Sequence, residues 1–291
     1  MQVLQLTISG LSQGCIYGLI ALGFVLIYKA TETVNFAQGE LMMLGAFAGL
    51  AATTWLGLPY WAGVVLSVLA LAAFGLVVER LVLRPILGQP AFAIVMVTIG
   101  VGYVARGLVT MVPGVGTETY TYPAPFKDEV FKAGGLVIGA EHLVVIGTTV
   151  VLCAIMFAAF RYTRIGVAMQ AASQNQLAAY YMGIPVRRLN GLIWGISAAV
   201  AAVAGVLLAP ITFVHANMGF IGLKAFPAAV VGGFGSLPGA IVGGLLIGVV
   251  ESLSGFYLPE GFKDIAAYVV VLAMLIGKPN GLFGETMRKK V

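Results

Sequence analysis

Apolar runs of about twenty residues recur along this chain between short polar stretches, and as helices they are long enough to cross roughly 30 Å of hydrocarbon. They predict helices over 3–28, 36–56, 60–78, 91–111, 143–160 and 189–213, then a Gly-rich region over 225–251 and a last span near 265–276. The last span is short unless it begins before Asp264. The runs are continuous and rich in Leu, Ala, Val and Gly, without the alternation that marks a membrane β-barrel. The fold class is therefore all-α and polytopic, one transmembrane domain over 1–291 with about eight membrane segments. Gly57, Leu58 and Pro59 leave room only for a tight turn between antiparallel helices.

Lys and Arg in the short loops set the orientation. Arg80 and Arg84 follow the third run, Arg161, Arg164, Arg187 and Arg188 flank the segment between the fifth and sixth, and Arg288, Lys289 and Lys290 close the chain. All three groups are assigned to the cytoplasmic side. The segment 112–141 balances Lys127 and Lys132 against Glu118, Asp128, Glu129 and Glu141 and is placed outside, as is the N-terminus. A C-terminus inside then asks the region 225–251 to enter and leave on one side. In FPAAVVGGFGSLPGAIVGG, Gly232, Gly233, Gly235, Pro238 and Gly239 break any helix, and broken backbone at membrane depth must pack on protein or line a cavity. The expectation is a re-entrant pair of half-helices carrying gate or pore residues. The alternative is two ordinary spans with a Gly/Pro turn and a displaced C-terminus.

Composition agrees with the pattern: 60% of the 291 residues are hydrophobic, 9% are charged, and mean hydropathy is +1.02. Soluble domains carry about 25% charge. Glycine is abundant at 39 residues, and the pairs Gly14/Gly18, Gly45/Gly49, Gly235/Gly239 and Gly244/Gly248 have the four-residue spacing that lets helix backbones approach in lipid. Cys15 and Cys153 each sit in an apolar run and read as small core residues. The first cation is Lys29, after the first run, so no cleavable signal is expected and that run stays in the mature protein.

Nothing points to catalysis. HExxH, CxxC and GxxxxGK[ST] are missing from the sequence, and His142 and His215 fall near span ends on the outer side. The chain is expected to be a non-enzyme with no cofactor, metal site or nucleic-acid partner. Any ATP hydrolysis belongs on another chain.

Ionisable groups inside hydrocarbon mark candidate sites because burying a charge is costly. Arg106 lies within the fourth span, where it either pairs with a carboxylate or anionic substrate group or snorkels to the outer surface. Glu251 is expected at an interface. The stretch TETVNFAQGELMML, with Glu32, Asn35, Gln38 and Glu40, opens the second span. Asn35 is placed to cap that helix, Gln38 to reach back as in a capping box, and Glu40 to face the helix dipole at the cytoplasmic edge. A part in an inner gate is the other reading.

The cytoplasmic segment 161–190 has basic pairs at both ends and no acid between them. Over 168–181 it predicts a helix of small and amide residues, stopped by Gly183 and Pro185. It either presents a surface to another protein or lies on the membrane.

This segment resembles the coupling loop of ABC importer permeases. YGLIALGFVLIYKATETVNFAQGELMMLGAF resembles the N-terminal region of branched-chain amino acid importer permeases, and FPAAVVGGFGSLPGAIVGGLLIGVVE resembles their late Gly-rich signature, with similarity over essentially the whole chain. The chain looks like the shorter of the two paired permeases. The string Asn35, Phe36, Ala37, Gln38, Gly39 separates it from the related urea permeases. The resemblance implies a bacterial inner-membrane permease in a heterodimer with a second permease, two ABC ATPase subunits and a soluble binding protein that delivers Leu, Ile or Val. It also implies docking of an ATPase through Ala171, Ala172, Ser173, Gln174, Asn175, Gln176, Leu177, Ala178 and Gly183. Where relatives often carry acids after the small-residue run, this chain has Ser173, Gln174, Asn175 and Gln176. Alternatives are an importer of the same class for urea, amides or other amino acids, an ion-coupled carrier acting alone, and a non-transporting scaffold.

Overall fold

The computed structural model describes residues 2–127, 129–133 and 136–284. Asp128, Arg288, Lys289 and Lys290, which the charge pattern assigned to sides of the membrane, lie outside the described residues.

The bundle is built around α1 (Gln2–Thr31), which runs antiparallel to α10 (Leu237–Tyr257) along a glycine seam. A Cβ at Gly14 would lie 2.7 Å from the Leu245 Cα, and one at Gly248 would overlap the Gly14 backbone. Helices in lipid gain nothing from hiding apolar surface from each other, so close backbone packing must hold them together. The pairs Gly14/Gly18 and Gly244/Gly248 therefore serve one contact within the chain. Gly45 of α2 (Gln38–Thr54) packs in the same way on Ala202 of α8 (Val186–Thr212).

The other elements are α3 (Tyr60–Val78), α4 (Ala91–Thr110), a hairpin of β1 (Val130–Ala133) and β2 (Leu136–Gly139), α5 (Ala140–Tyr162), α6 (Arg164–Gln174), α7 (Gln176–Tyr181), α9 (Gly219–Gly232) and α11 (Phe262–Gly277). Helix α3 continues through a wide π-helical turn, Glu79–Leu83, and a 3-10 turn, Arg84–Ile86. Among the described residues, six helices are long and apolar enough to cross a membrane: α1, α3 with its extension, α4, α5, α8 and α10. With α2, α9 and α11, which are shorter, the bundle has more segments than the sequence pattern predicts.

Contacts define the two ends. Arg84 pairs with Glu79 at 2.8 Å and donates to the Arg187 carbonyl at 3.3 Å, while Gln176 donates to the Ala30 carbonyl, so the ends of α1 and α3 and the start of α8 share one basic end with α6 and α7. At the opposite end, Tyr120 and Val214 form an antiparallel bridge, and Tyr122 is fully buried edge-on to Tyr60.

Three expectations change. The Gly-rich region is two antiparallel helices, α9 and α10, joined by a turn at the basic end; it is not a re-entrant break at depth. Two antiparallel crossings cancel, so α11 still returns to the basic end. Second, the amide-rich loop helix is divided at Asn175 into α6 and α7, because the Asn175 side chain accepts from the Ala178 N–H at 2.9 Å and caps a new helix. Third, α11 starts before Asp264, at Phe262. Gly183, at φ +81°, ends the loop helix as expected.

Candidate functional site

After α1 the chain does not pass directly into another span. Glu32 takes a left-handed conformation (φ 54°), and the backbone runs unwound through 33–37 into the bundle before α2 begins. Non-helical backbone at depth survives only where protein satisfies its polar groups. Here it does: Asn35 Oδ1 accepts from the Ala37 N–H at 3.0 Å, Asn35 Nδ2 donates to Gln38 Oε1 at 3.2 Å, and the Phe36 N–H donates to Thr98 Oγ1 at 3.1 Å. Gln38 Nε2 donates to the Ser197 carbonyl at 3.3 Å, and the Ser197 hydroxyl sits 3.0 Å from Gln38 Oε1 and 3.1 Å from the Gly23 carbonyl. Asn35, Gln38 and Ser197 are all 0% exposed.

These partners fix the depth. Gly23 lies about 12 Å along α1 from Thr31, Thr98 about 10 Å along α4 from Ala91, and Ser197 about 16 Å along α8 from Val186, at 1.5 Å per residue. The cluster is therefore inside the bundle and not at the cytoplasmic edge. The capping-box expectation also fails. The N-cap of α2 is Ala37, without a side-chain cap, because Asn35 folds back on the unwound turn and Gln38 points across to α8.

A second break faces the first. Phe213 (φ 65°) ends α8, and 213–218 leads through a 3-10 turn, Ala216–Met218, to α9. The first turn of α9 meets the first turn of α2: a Cβ at Gly39 would overlap the Gly219 oxygen, and one at Gly222 would overlap the Gly39 Cα. The Glu40 carboxylate lies against Gly219, at the positive end of α9.

Arg106 reaches this junction from α4 and pairs with Glu40 through two N–H groups, Nη2 on Glu40 Oε1 and Nε standing 3.4 Å from Glu40 Oε2. Its guanidinium also lies 3.9 Å from the Phe220 ring centroid and 5.7 Å from that of Tyr103. Side-chain exposures are 14% for Arg106 and 13% for Glu40. Of the two readings of Arg106, pairing with a carboxylate is the one realised. A buried pair repays its desolvation only with good geometry and further partners, which the helix end and the aromatic face supply.

Sequence reasoning placed Asn35, Gln38, Glu40, Arg106, Gly232, Gly233, Gly235 and Gly239 in one gate or pore group. The structure brings the first four together and separates the glycines. Gly232 packs on Gly239 at the α9–α10 turn, and Gly233 (φ +98°) is closed over by the chain after α11, where the Leu282 and Phe283 N–H groups donate to the Val231 and Gly232 carbonyls at 2.8 and 3.1 Å. Glu251, expected at an interface, is buried 3.7 Å from Lys224, which also pairs with Asp264 at 2.5 Å. Ser197, Thr98 and Phe220 were missed. A lone Ser or Thr in an apolar run carries no signal without its partner.

In the loop, Ala172 is buried, while Gln174, Asn175, Gln176 and Ala178 are exposed and Ala171 and Ser173 are half-buried. On and just after α7, Leu177, Tyr180, Tyr181 and Met182 are exposed, so the outward face is more aromatic than the small-residue run implies. Behind α6 a small cavity of about 40 Å³ is lined by Leu26, Lys29, Met169, Ser173 and Leu237, which places the loop against the last turn of α1.

Residues 6–277 match the family described as branched-chain amino acid transport system / permease component. The chain is similar to the high-affinity branched-chain amino acid transport system permease protein LivH of Escherichia coli K12, at 32% identity over 99% of this chain and 97% of that one. It is also similar to the corresponding protein BraD of Pseudomonas aeruginosa, at 30% identity over 99% and 98%. A solved structure, PsaBC from Streptococcus pneumoniae in complex with Fab, aligns with 92% of the chain and 87% of its own at 15% identity, with a TM-score of 0.46. Matched over residues 6–277 and about 30% identical to these relatives over nearly its whole length, the chain belongs to the family of branched-chain amino acid transport system permease components.

Proposed function

We propose that this chain is the permease subunit of an ATP-driven importer for Leu, Ile and Val. In this reading it pairs with a second permease in the bacterial inner membrane, a soluble binding protein delivers the substrate outside, and two ATPase subunits hydrolyse ATP inside. The excess of Lys and Arg at the α6–α7 end puts that end in the cytoplasm. The α6–α7 segment is the docking surface for an ATPase, through Leu177, Tyr180, Tyr181 and Met182 facing outward, while the Gln176 side chain turns inward to the Ala30 carbonyl. The Asn35–Gln38–Glu40–Arg106 junction belongs to the gate.

The single observation that carries the gate reading is the meeting of the α2 and α9 N-termini at mid-depth, each preceded by unwound backbone. Discontinuous helices of this kind recur where transporters handle polar cargo, because half-helix ends offer fixed charge without a full ion. A permease also needs two conformations whose balance a partner can tip through differential affinity. Short unwound segments held by side-chain hydrogen bonds can rearrange without unfolding a span. Substrate choice rests mainly with the binding protein, and the pore needs only transient contacts. The test is ATP hydrolysis by the assembled complex with a panel of amino acids: Leu, Ile and Val, presented on the binding protein, stimulate it, and charged amino acids do not. Stimulation by an unrelated solute class would reassign the substrate.

A further inference from the structure

We infer that Gln176 is a positioning residue that ties the docking loop to the gate, by capping the end of α1 from another part of the chain. The last carbonyls of a helix lack helical donors and must be satisfied from elsewhere. In α1 the Glu32 N–H serves the Tyr28 carbonyl at 2.8 Å, the Thr31 hydroxyl turns back to the Ile27 carbonyl at 2.9 Å, and the Ala30 carbonyl receives the Gln176 side chain at 2.6 Å. Gln176 is the first residue of α7, held there by the Asn175 cap. The bond thus joins the first turn of α7 to the last turn of α1.

The backbone immediately after α1 connects this tie to the gate. Two residues beyond Ala30 stands Glu32 in the left-handed region, where a side chain is strained. The Thr31 and Thr33 hydroxyls then pair at 2.8 Å, and the unwound stretch leads to Asn35 and Gln38 inside the bundle. A displacement of α7 is passed to the start of this stretch through one short hydrogen bond, with no need to move the body of α1. The seam of α1 with α10 holds that body fixed.

The inference rests on the reading of α6–α7 as the docking surface, and the experiment separates the two. In the assembled complex, Gln176→Leu keeps the side-chain bulk and removes the donor, and Gln176→Lys keeps a donor of sufficient reach. Gln176→Leu is expected to leave ATPase co-purification unchanged, to lower ATP-driven leucine uptake at least tenfold, and to leave ATP hydrolysis running without stimulation by loaded binding protein. Gln176→Lys is expected to retain most of the stimulation. Wild-type uptake in Gln176→Leu would overturn the tie, and so would loss of co-purification, which would place Gln176 in the docking surface itself. Tyr181→Glu, on the exposed face of α7, tests the docking reading on its own: it is expected to abolish co-purification, and unchanged co-purification would reject that reading whatever Gln176 does.

Discussion

Glu40, in the first turn of α2, and Arg106, four residues from the end of α4, meet at the first turn of α9, so one ion pair joins three membrane helices where two of them begin. Removing one partner of such a pair leaves the other charge buried, at a cost of about 3–5 kcal/mol. Glu40→Gln and Arg106→Gln are each expected to lower the thermal unfolding midpoint of the detergent-solubilised complex and to reduce uptake by more than tenfold. The double variant Glu40→Gln/Arg106→Gln should be less destabilised than the two single losses added together. Strict additivity would show that the two charges do not depend on each other.

Gln38 occupies the space beside Gly23, where an added Cβ would overlap Gln38 Nε2. Gly23→Ala must therefore displace Gln38 from Ser197 and open the Asn35–Gln38 link. Uptake should fall at least as far as in Gln38→Leu, and Ser197→Ala should be milder, losing about 1 kcal/mol of hydrogen bonding. A fully active Gly23→Ala would remove the Gln38 network from the gate.

The α1–α10 seam predicts a contrast between glycines. Gly14→Leu places side-chain atoms where Leu245 and Gly244 already sit and is expected to abolish recovery of folded protein. Gly147 in α5 has nothing within 4 Å of an added Cβ, and Gly147→Ala should be neutral or stabilising by up to about 1 kcal/mol from helix propensity. Recovery after detergent extraction, followed by a thermal melt, reads both.

Sidedness can be checked by thiol labelling. In a background lacking Cys15 and Cys153, Met182→Cys should react with an impermeant maleimide only from the cytoplasmic side and Thr117→Cys only from outside, both positions being exposed. The reverse result would invert the topology.

Much of this fold was legible because lipid imposes length and polarity on a span. The helices α1, α3, α4, α5 and α8 follow from apolar runs alone, and the glycine spacing marked faces that pack, without saying on what. Helix α9 and the break before it were not legible: FVHANM reads as an ordinary outer loop, and only the contact of Gly219 and Gly222 with Gly39 shows that it leads inward. The same holds for depth. Asn35 and Gln38 look like cap residues in sequence, since a polar string between two apolar runs reads as a membrane edge; their burial depends on Ser197 and Thr98, far along the chain. Arg106 was flagged because its charge is isolated in its own span, whereas its partner could be found only in three dimensions.

The decisive measurement is uptake of labelled leucine into proteoliposomes holding this chain with its second permease and ATPases, with binding protein outside and ATP inside. Uptake is predicted to require ATP, both ATPase subunits and the loaded binding protein, and to be indifferent to an imposed proton or sodium gradient. Leucine accumulation by this chain alone, driven by such a gradient and without ATP, would contradict the importer reading.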